Sequence, residues 1–180
     1  MPQHRDPTRP PVPAAVWLCG QAGTDPGSVR GELLRAAFAA YAPPGAVVAI
    51  TPPDRSLDLV VAAGGCRPTA LPRSGRRGRR LHLVVHLPRG RAALRPAVDV
   101  LRLAAPALTD GGVVALALPG ATPGLLPRLV VDAASVGLTY LQHVVAITAT
   151  VAEGDIAATP TRRRPCHVDV AVFRSVGGGR

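Results

Sequence analysis

Apolar residues along this chain follow two rhythms. Val29, Leu33, Ala36, Ala37 and Ala40 recur every three or four positions and predict a helix over 28–41, capped by Ser28 and stopped by "APPG". Residues 46–50 are apolar without interruption, the pattern of a strand covered on both faces. A helix follows to Gly64-Gly65. "LHLVVHL" (81–87) is the second strand. Leu94, Val98, Leu101, Ala105 and Leu108 then share one helical face, "TDGG" is a turn, and "VVALAL" (113–118) is a third strand. Thr122 caps another helix with Pro123 in its first turn, where proline is tolerated. Leu126, Leu129, Val130 and Ala133 line it and Gly137 ends it. "LTYLQHVVAITATV" (138–151) is a long strand. "HVDVAVF" alternates cleanly, with Val168, Val170 and Val172 facing one way.

Strands alternating with helices predict a mainly parallel sheet with helices on both faces. The last two strands have no helix between them and pair as an antiparallel hairpin. The fold class is therefore α/β, a three-layer α/β/α sandwich with a Rossmann-like sheet ending in that hairpin. One domain spans 14–176. Ahead of it, residues 1–13 hold five prolines and read as an extended, disordered lead-in. "AAVWL" (14–18), which holds the lone tryptophan, Trp17, is a short strand or a packed arm. Residues 66–80 are loop-like and contain the Arg-rich loop 72–80.

Composition changes this picture in two places. The chain of 180 residues is 47% apolar but only 3% aromatic, so its core is built from Ala, Val and Leu. The net charge of +10 is concentrated, because "RSGRRGRR" and "TRRRP" together supply eight arginines. Arg76, Arg77, Arg79 and Arg80 in the first, and Arg162, Arg163 and Arg164 in the second, can neutralise nucleic-acid phosphates. They can equally be solvated loops in a chain whose basic residues are all arginine. Three widely spaced cysteines argue against a disulfide framework and fit a reducing cytoplasm. No apolar run approaches the roughly 20 residues that span a bilayer. A cytoplasmic protein without a membrane partner is expected.

Three stretches carry a family resemblance. "YAPPGAVVAITPPDRSLDLVVAAGGCR" resembles the helix, strand and cofactor loop of the DNA amino-methyltransferases, the adenine-N6 or cytosine-N4 type that use S-adenosylmethionine. "LRLAAPALTDGGVVALALPG" resembles the helix, turn and strand that follow their catalytic motif. "GLTYLQHVVAITATVAEGDI" with "CHVDVAVFR" resembles their closing strands. The resemblance implies a class I methyltransferase fold, S-adenosylmethionine as cofactor and DNA as partner.

At the implied cofactor loop the family's glycine positions fall at Asp54 and Ser56. Its acidic position falls at Ile50, or at Thr51 in a register shifted by one. Pro52 and Pro53 have no N–H to offer. The residues themselves read as a helix start, with Thr51 as N-cap, Pro52 at N1 and Asp54 at N3, a cap contributing about 1 kcal/mol. Thr51, Asp54 and Ser56 are the candidate cofactor contacts, Asp54 through the cofactor's ammonium group. At the implied catalytic loop the sequence reads "VVHLPRG". Of the family's polar residue, two prolines and aromatic, Pro88 alone survives. His86 is the one residue there with acid–base chemistry, and it reads equally well as a strand-end histidine with a satisfied hydrogen bond. Arg89 can reach a phosphate from the same edge. His82 shares the strand face of His86, but no carboxylate completes a metal site, so none is expected.

These residues predict a methyltransferase-like domain with weak or lost catalysis that binds nucleic acid through its arginines. Two alternatives stand beside it. One is an active, divergent methyltransferase acting on DNA or a small molecule. The other is a structural or interaction domain without a ligand.

Overall fold

The computed structural model describes residues 14–19, 26–72, 80–89, 94–120, 124–148, 151–152, 155–156 and 167–176. Nine strands and four helices lie within them. In chain order they are β1 (Ala14–Leu18), α1 (Pro26–Tyr41), β2 (Val47–Thr51), α2 (Arg55–Ala63), β3 (Arg67–Thr69), β4 (Leu81–His86), α3 (Leu94–Ala104), β5 (Leu108–Leu118), α4 (Leu125–Ser135), β6 (Leu138–Ile147), β7 (Val151–Ala152), β8 (Asp155–Ile156) and β9 (His167–Ser175).

Seven strands form one sheet in the order β1-β6-β9-β5-β4-β2-β3, and β7 and β8 pair separately. Every strand of the large sheet is parallel except β9, which lies antiparallel between β5 and β6. The expected closing hairpin is therefore present, with its second strand at an interior position. The sheet separates two apolar layers. Leu83, Val85, Val113, Ala115, Val170 and Val172 pack on the side of α1 and α2, and Val84, Val114, Leu116, Leu118, Ala171 and Phe173 on the side of α3 and α4. The apolar runs 83–85 of β4 and 113–118 of β5 follow from this, since their residues alternate between two covered faces. Val168, Val170 and Val172 share one face as the alternation requires.

Several sequence expectations are refined or corrected. Of the two forms expected of "AAVWL", the strand is the one formed, paired parallel with β6 at the edge of the sheet. Its alternation leaves Val16 and Leu18 exposed and turns Trp17 toward Tyr41, with ring centroids 6.1 Å apart. The helix expected from Ser28 starts at Pro26, and Ala40 on its expected apolar face is exposed. The stretch 66–80 contains β3, paired parallel to β2. Leu108 belongs to β5 and not to the preceding helix: Pro106 breaks that helix into a 3-10 turn, Ala105–Ala107.

"TDGG" does not separate two elements. It lies inside β5 as an irregularity, because Leu81 pairs with Leu108 while Leu83 pairs with Val113. Gly111 takes φ +75°, and a Cβ on Gly112 would lie 3.0 Å from the carbonyl oxygens of Leu81 and Thr109. The strand predicted over 138–151 ends at Ile147. Thr122 and Pro123 lie outside the described residues; the residue that precedes α4 is Gly124, at φ 86°.

Candidate functional site

In an open α/β sheet, ligands bind beyond the carboxyl ends of the parallel strands. Here that edge carries Thr51 from β2 and His86 from β4, which are register partners, with Leu116 of β5 next in the same row. Beyond it the Leu87 N–H donates to the Thr51 carbonyl at 2.8 Å. The Thr51–Pro52 peptide is cis.

The turn after β2 is organised by Asp54. It is the N-cap of α2, with extended backbone (φ −151°, ψ 112°), and the helix begins at Arg55. This corrects the capping-box expectation: Thr51 closes β2, Pro52 and Pro53 precede the cap, and Asp54 does the capping. Its Oδ1 accepts the Ser56 N–H at 3.1 Å and the Ser56 hydroxyl at 2.6 Å. Its Oδ2 accepts from Arg30 at 2.8 Å and from Arg89 at 3.2 Å. The hydrogen bonds from Ser56, followed by those from Arg30 and Arg89, hold the Asp54 carboxyl well below the usual carboxylate range. An anion with both oxygens engaged in this way is an anchor and not a general base.

Arg30 reaches this cluster from α1. One terminal nitrogen donates to Asp54 and the other to the Leu87 carbonyl at 2.9 Å, so a single guanidinium ties the turn after β2 to the turn after β4. Its side chain is only 20% exposed, against 71% for Arg89. Its Nε is buried with no partner among the described residues. An unpaired buried donor of this kind carries a penalty of about 1–3 kcal/mol. Sequence reasoning overlooked Arg30. In a chain whose basic residues are all arginine, one more on a helix gives no composition signal, and its partners lie 24 and 57 residues away.

His86 is buried, at 7% exposure. Burial pushes its pKa below the ordinary histidine value, with the Thr51 carbonyl acting in the other direction. Its Nδ1 is buried with no hydrogen-bond partner among the described residues. His82 is structural by contrast, its Nδ1 accepting the Val47 N–H at 3.1 Å. His143 lies 3.0 Å from Asp169, a pair across β6 and β9 and well away from Asp54 in strand order. At the end of β1 the Cys19 thiol is pushed up to about 11 by burial and by the neighbouring Glu32. No group of three or more potential metal ligands occurs among the described residues, and no helix among them is long and apolar enough to cross a membrane.

The structure therefore brings Thr51, Asp54, Ser56, His86, Pro88 and Arg89 to one edge. Arg80 is exposed at the start of β4. Arg76, Arg77, Arg79, Arg162, Arg163 and Arg164 lie outside the described residues, as does Cys166.

Neither a protein-family model nor a curated protein matches the sequence. Solved structures do match the fold. A methyltransferase from Pyrococcus furiosus aligns over 86% of this chain and 88% of its own at TM-score 0.52 and 12% identity. A protein from Thermoplasma acidophilum described as a methyltransferase aligns over 94% and 70% at TM-score 0.52 and 13% identity. The chain has the class I methyltransferase fold. A third neighbour with this fold is the Burkholderia thailandensis 1,6-didemethyltoxoflavin-N1-methyltransferase, solved with bound 1,6-didemethyltoxoflavin and S-adenosylhomocysteine, at TM-score 0.52 and 12% identity over 81% and 78% of the two chains.

Whether the residues of this methyltransferase fold suit S-adenosylmethionine can be tested at the turn after β2. Pro52 and Pro53 offer no N–H there. The Ser56 N–H is taken by the Asp54 carboxylate, and those of Leu57 and Asp58 by the Asp54 carbonyl at 3.1 and 3.0 Å. The acidic group is held by two arginines. As arranged, the turn offers a cofactor neither a free anion nor the N–H groups of Ser56, Leu57 and Asp58. The residues do not fit the group in this conformation.

Proposed function

We propose that this chain is a methyltransferase-like domain related to the DNA amino-methyltransferases, with an S-adenosylmethionine site that its own side chains keep closed and with weak or lost methyl transfer. The observation that carries the proposal is the fourfold engagement of Asp54 by Ser56, Arg30 and Arg89 at the edge where the fold binds its ligands. The sequence after β4 adds to it. Leu87 takes the position where a methyltransferase of this type needs a polar group to hold the target amine, and Gly90 the position where it needs an aromatic ring to stack on a flipped base. The arginine clusters supply the contact to nucleic acid, with Arg89 facing it from the same edge.

The test is a pair of titrations. S-adenosylmethionine at millimolar concentration is expected to raise Tm slightly, with no methyl transfer to double-stranded DNA. Saturation at 100 times Kd would correspond to about 2.7 kcal/mol. Duplex DNA is expected to bind with a steep dependence on salt. Replacing Arg76, Arg77, Arg79 and Arg80 by Ala removes about 0.9 from the log–log slope for each phosphate that is no longer neutralised. Tight cofactor binding with turnover, or a salt slope that these replacements leave unchanged, overturns the corresponding half of the proposal.

A second reading draws on His86. A buried imidazole beside Thr51, lowered in pKa by burial and with no Nδ1 partner among the described residues, can serve as a proton acceptor, and it favours an active, divergent methyltransferase on DNA or a small molecule. Turnover abolished by His86→Gln, with the fold intact, would establish that reading.

A further inference from the structure

We propose that β1 pairs antiparallel with β1 of a second copy of this chain, joining the two large sheets across a two-fold axis at Val16.

β1 is the end strand of the large sheet, and no described strand pairs on its outer side. One bond fixes which of its backbone groups face outward. The Cys19 N–H donates to the Ile147 carbonyl at 2.7 Å, so Cys19 directs its backbone at β6. Alternate residues of a strand direct their N–H and C=O to opposite sides. Ala15 and Trp17 therefore bond to β6 as well, and the N–H and C=O of Val16 and Leu18 point out of the sheet. The side chains of these two residues are also 59% and 56% exposed. Proteins ordinarily blunt such an edge with a charge, a proline or a bulge. Residues 14–18 contain neither a charged residue nor a proline, and their register with β6 runs without a shift.

The strand selects its own copy as the occupant. In an antiparallel pair, outward-facing residues must lie opposite one another to exchange their two hydrogen bonds. The register centred on Val16 achieves this along the whole strand. Val16 meets Val16 of the second copy, and Leu18 meets residue 14. Between them the bulky Trp17 falls opposite Ala15, on the face of α1. A slip of one position in both chains loses residue 14 from the ladder and sets Trp17 against Trp17. No like charges meet across the axis, because none of the net charge of +10 lies in β1. A ladder of five residues is small beside the roughly 1,200–2,000 Å² of a stable interface. The dimer is accordingly weak and concentration-dependent.

The test is analytical ultracentrifugation of the full chain from about 1 to about 200 μM, where the mass is expected to rise from one copy toward two. Val16→Lys sets two ammonium groups opposite each other at the axis, at an already exposed position, and should stay monomeric throughout with an unchanged circular dichroism spectrum. Cross-linking reads the register without that variant. Cys19 and Cys66 are buried, and a Cys166→Ser background removes the third thiol. In that background Val16→Cys brings two Cα atoms to about 5.5 Å, within disulfide range, and should form an interchain disulfide on mild oxidation. Leu18→Cys lies about 14 Å from its own copy along the strands and should not. A chain that is monomeric at the highest concentration overturns the proposal. Val16 and Leu18 amides that resist hydrogen exchange in that monomer would assign the edge to another segment of the same chain, and freely exchanging ones to a different protein; each overturns the second copy as occupant. A dimer that Val16→Lys leaves intact, or that Leu18→Cys cross-links as readily as Val16→Cys, overturns it as well.

Discussion

Phe173 gives the sharpest test of the fold. It is fully buried on β9, opposite Val114 of β5 and Tyr140 of β6, and its ring meets Tyr140 edge-on at 5.6 Å between centroids. Phe173→Ala removes most of a side chain that buries about 150–250 Å², worth about 4 kcal/mol at 25 cal/mol/Å². Loss of the edge-to-face pair adds about 1 kcal/mol. Truncations of buried phenylalanine in general cost about 3–5 kcal/mol, so about 4 kcal/mol is expected. A chain of 180 residues has an unfolding entropy of about 0.4 kcal/mol per degree, which converts that loss to a fall in Tm of about 10 °C. Thermal unfolding followed by far-UV circular dichroism and by fluorescence of Trp17, the lone tryptophan, reads this on both sides of β9. Val131→Ala, at an exposed position of α4, is the control and should stay within about 0.5 kcal/mol of the parent. A Phe173→Ala variant as stable as that control would refute the insertion of β9 between β5 and β6, and with it the fold assignment.

Three further predictions concern single groups. The Asp54 carboxyl is lowered in the folded state, so its stabilisation is present above the ordinary carboxylate pKa and is lost as pH falls through the lowered one. Asp54→Asn should therefore have the lower Tm at pH 7, and the gap should narrow as pH falls below about 4; a constant gap would refute the assignment. His86 is lowered as a base, so the unfolded chain takes up its proton first and stability falls as pH drops below about 6.5. His86→Leu should remove that acid dependence and, by eliminating a buried nitrogen that has no partner among the described residues, gain about 1 kcal/mol at pH 7 in a denaturant titration; a loss at pH 7 would show that Nδ1 has a partner. Gly112→Ala places a methyl 3.0 Å from two backbone carbonyls and should destabilise by about 1–3 kcal/mol in the same titration, whereas an unchanged midpoint would refute the tight packing inside β5.

The layered α/β order was legible because β2, β4 and β5 carry long apolar runs and α2 and α4 carry their stripes at helical spacing. What escaped local reading has long-range causes. β3 is three residues with two exposed side chains, so no period marks it; it is a strand because β2 offers an unpaired edge. "TDGG" reads as a turn by its residue types, and the ladder to β4 absorbs it. Pro106 was a visible stop signal that the spacing of Leu101, Ala105 and Leu108 concealed. Thr51, Asp54, Ser56 and His86 were named from their positions at strand ends, and the structure places them along one edge of the sheet. The roles within the turn were misassigned because the carboxylate of Asp54 is divided between a local partner, Ser56, and arginines 24 and 35 residues away. A local pattern contains the first of these and not the others.

The place of β9 has a consequence for folding in time. It is translated after every other strand of the large sheet, yet it alone joins β6 and β1 to β5, β4, β2 and β3. Until residues 167–175 leave the ribosome, the nascent chain can hold only two half-sheets, with the facing edges of β5 and β6 both open. Open edges of this kind are templates for pairing with another chain. The interval between synthesis of β6 and arrival of β9 is therefore when this protein is most exposed to misassembly, and slow translation across 148–166 would lengthen it.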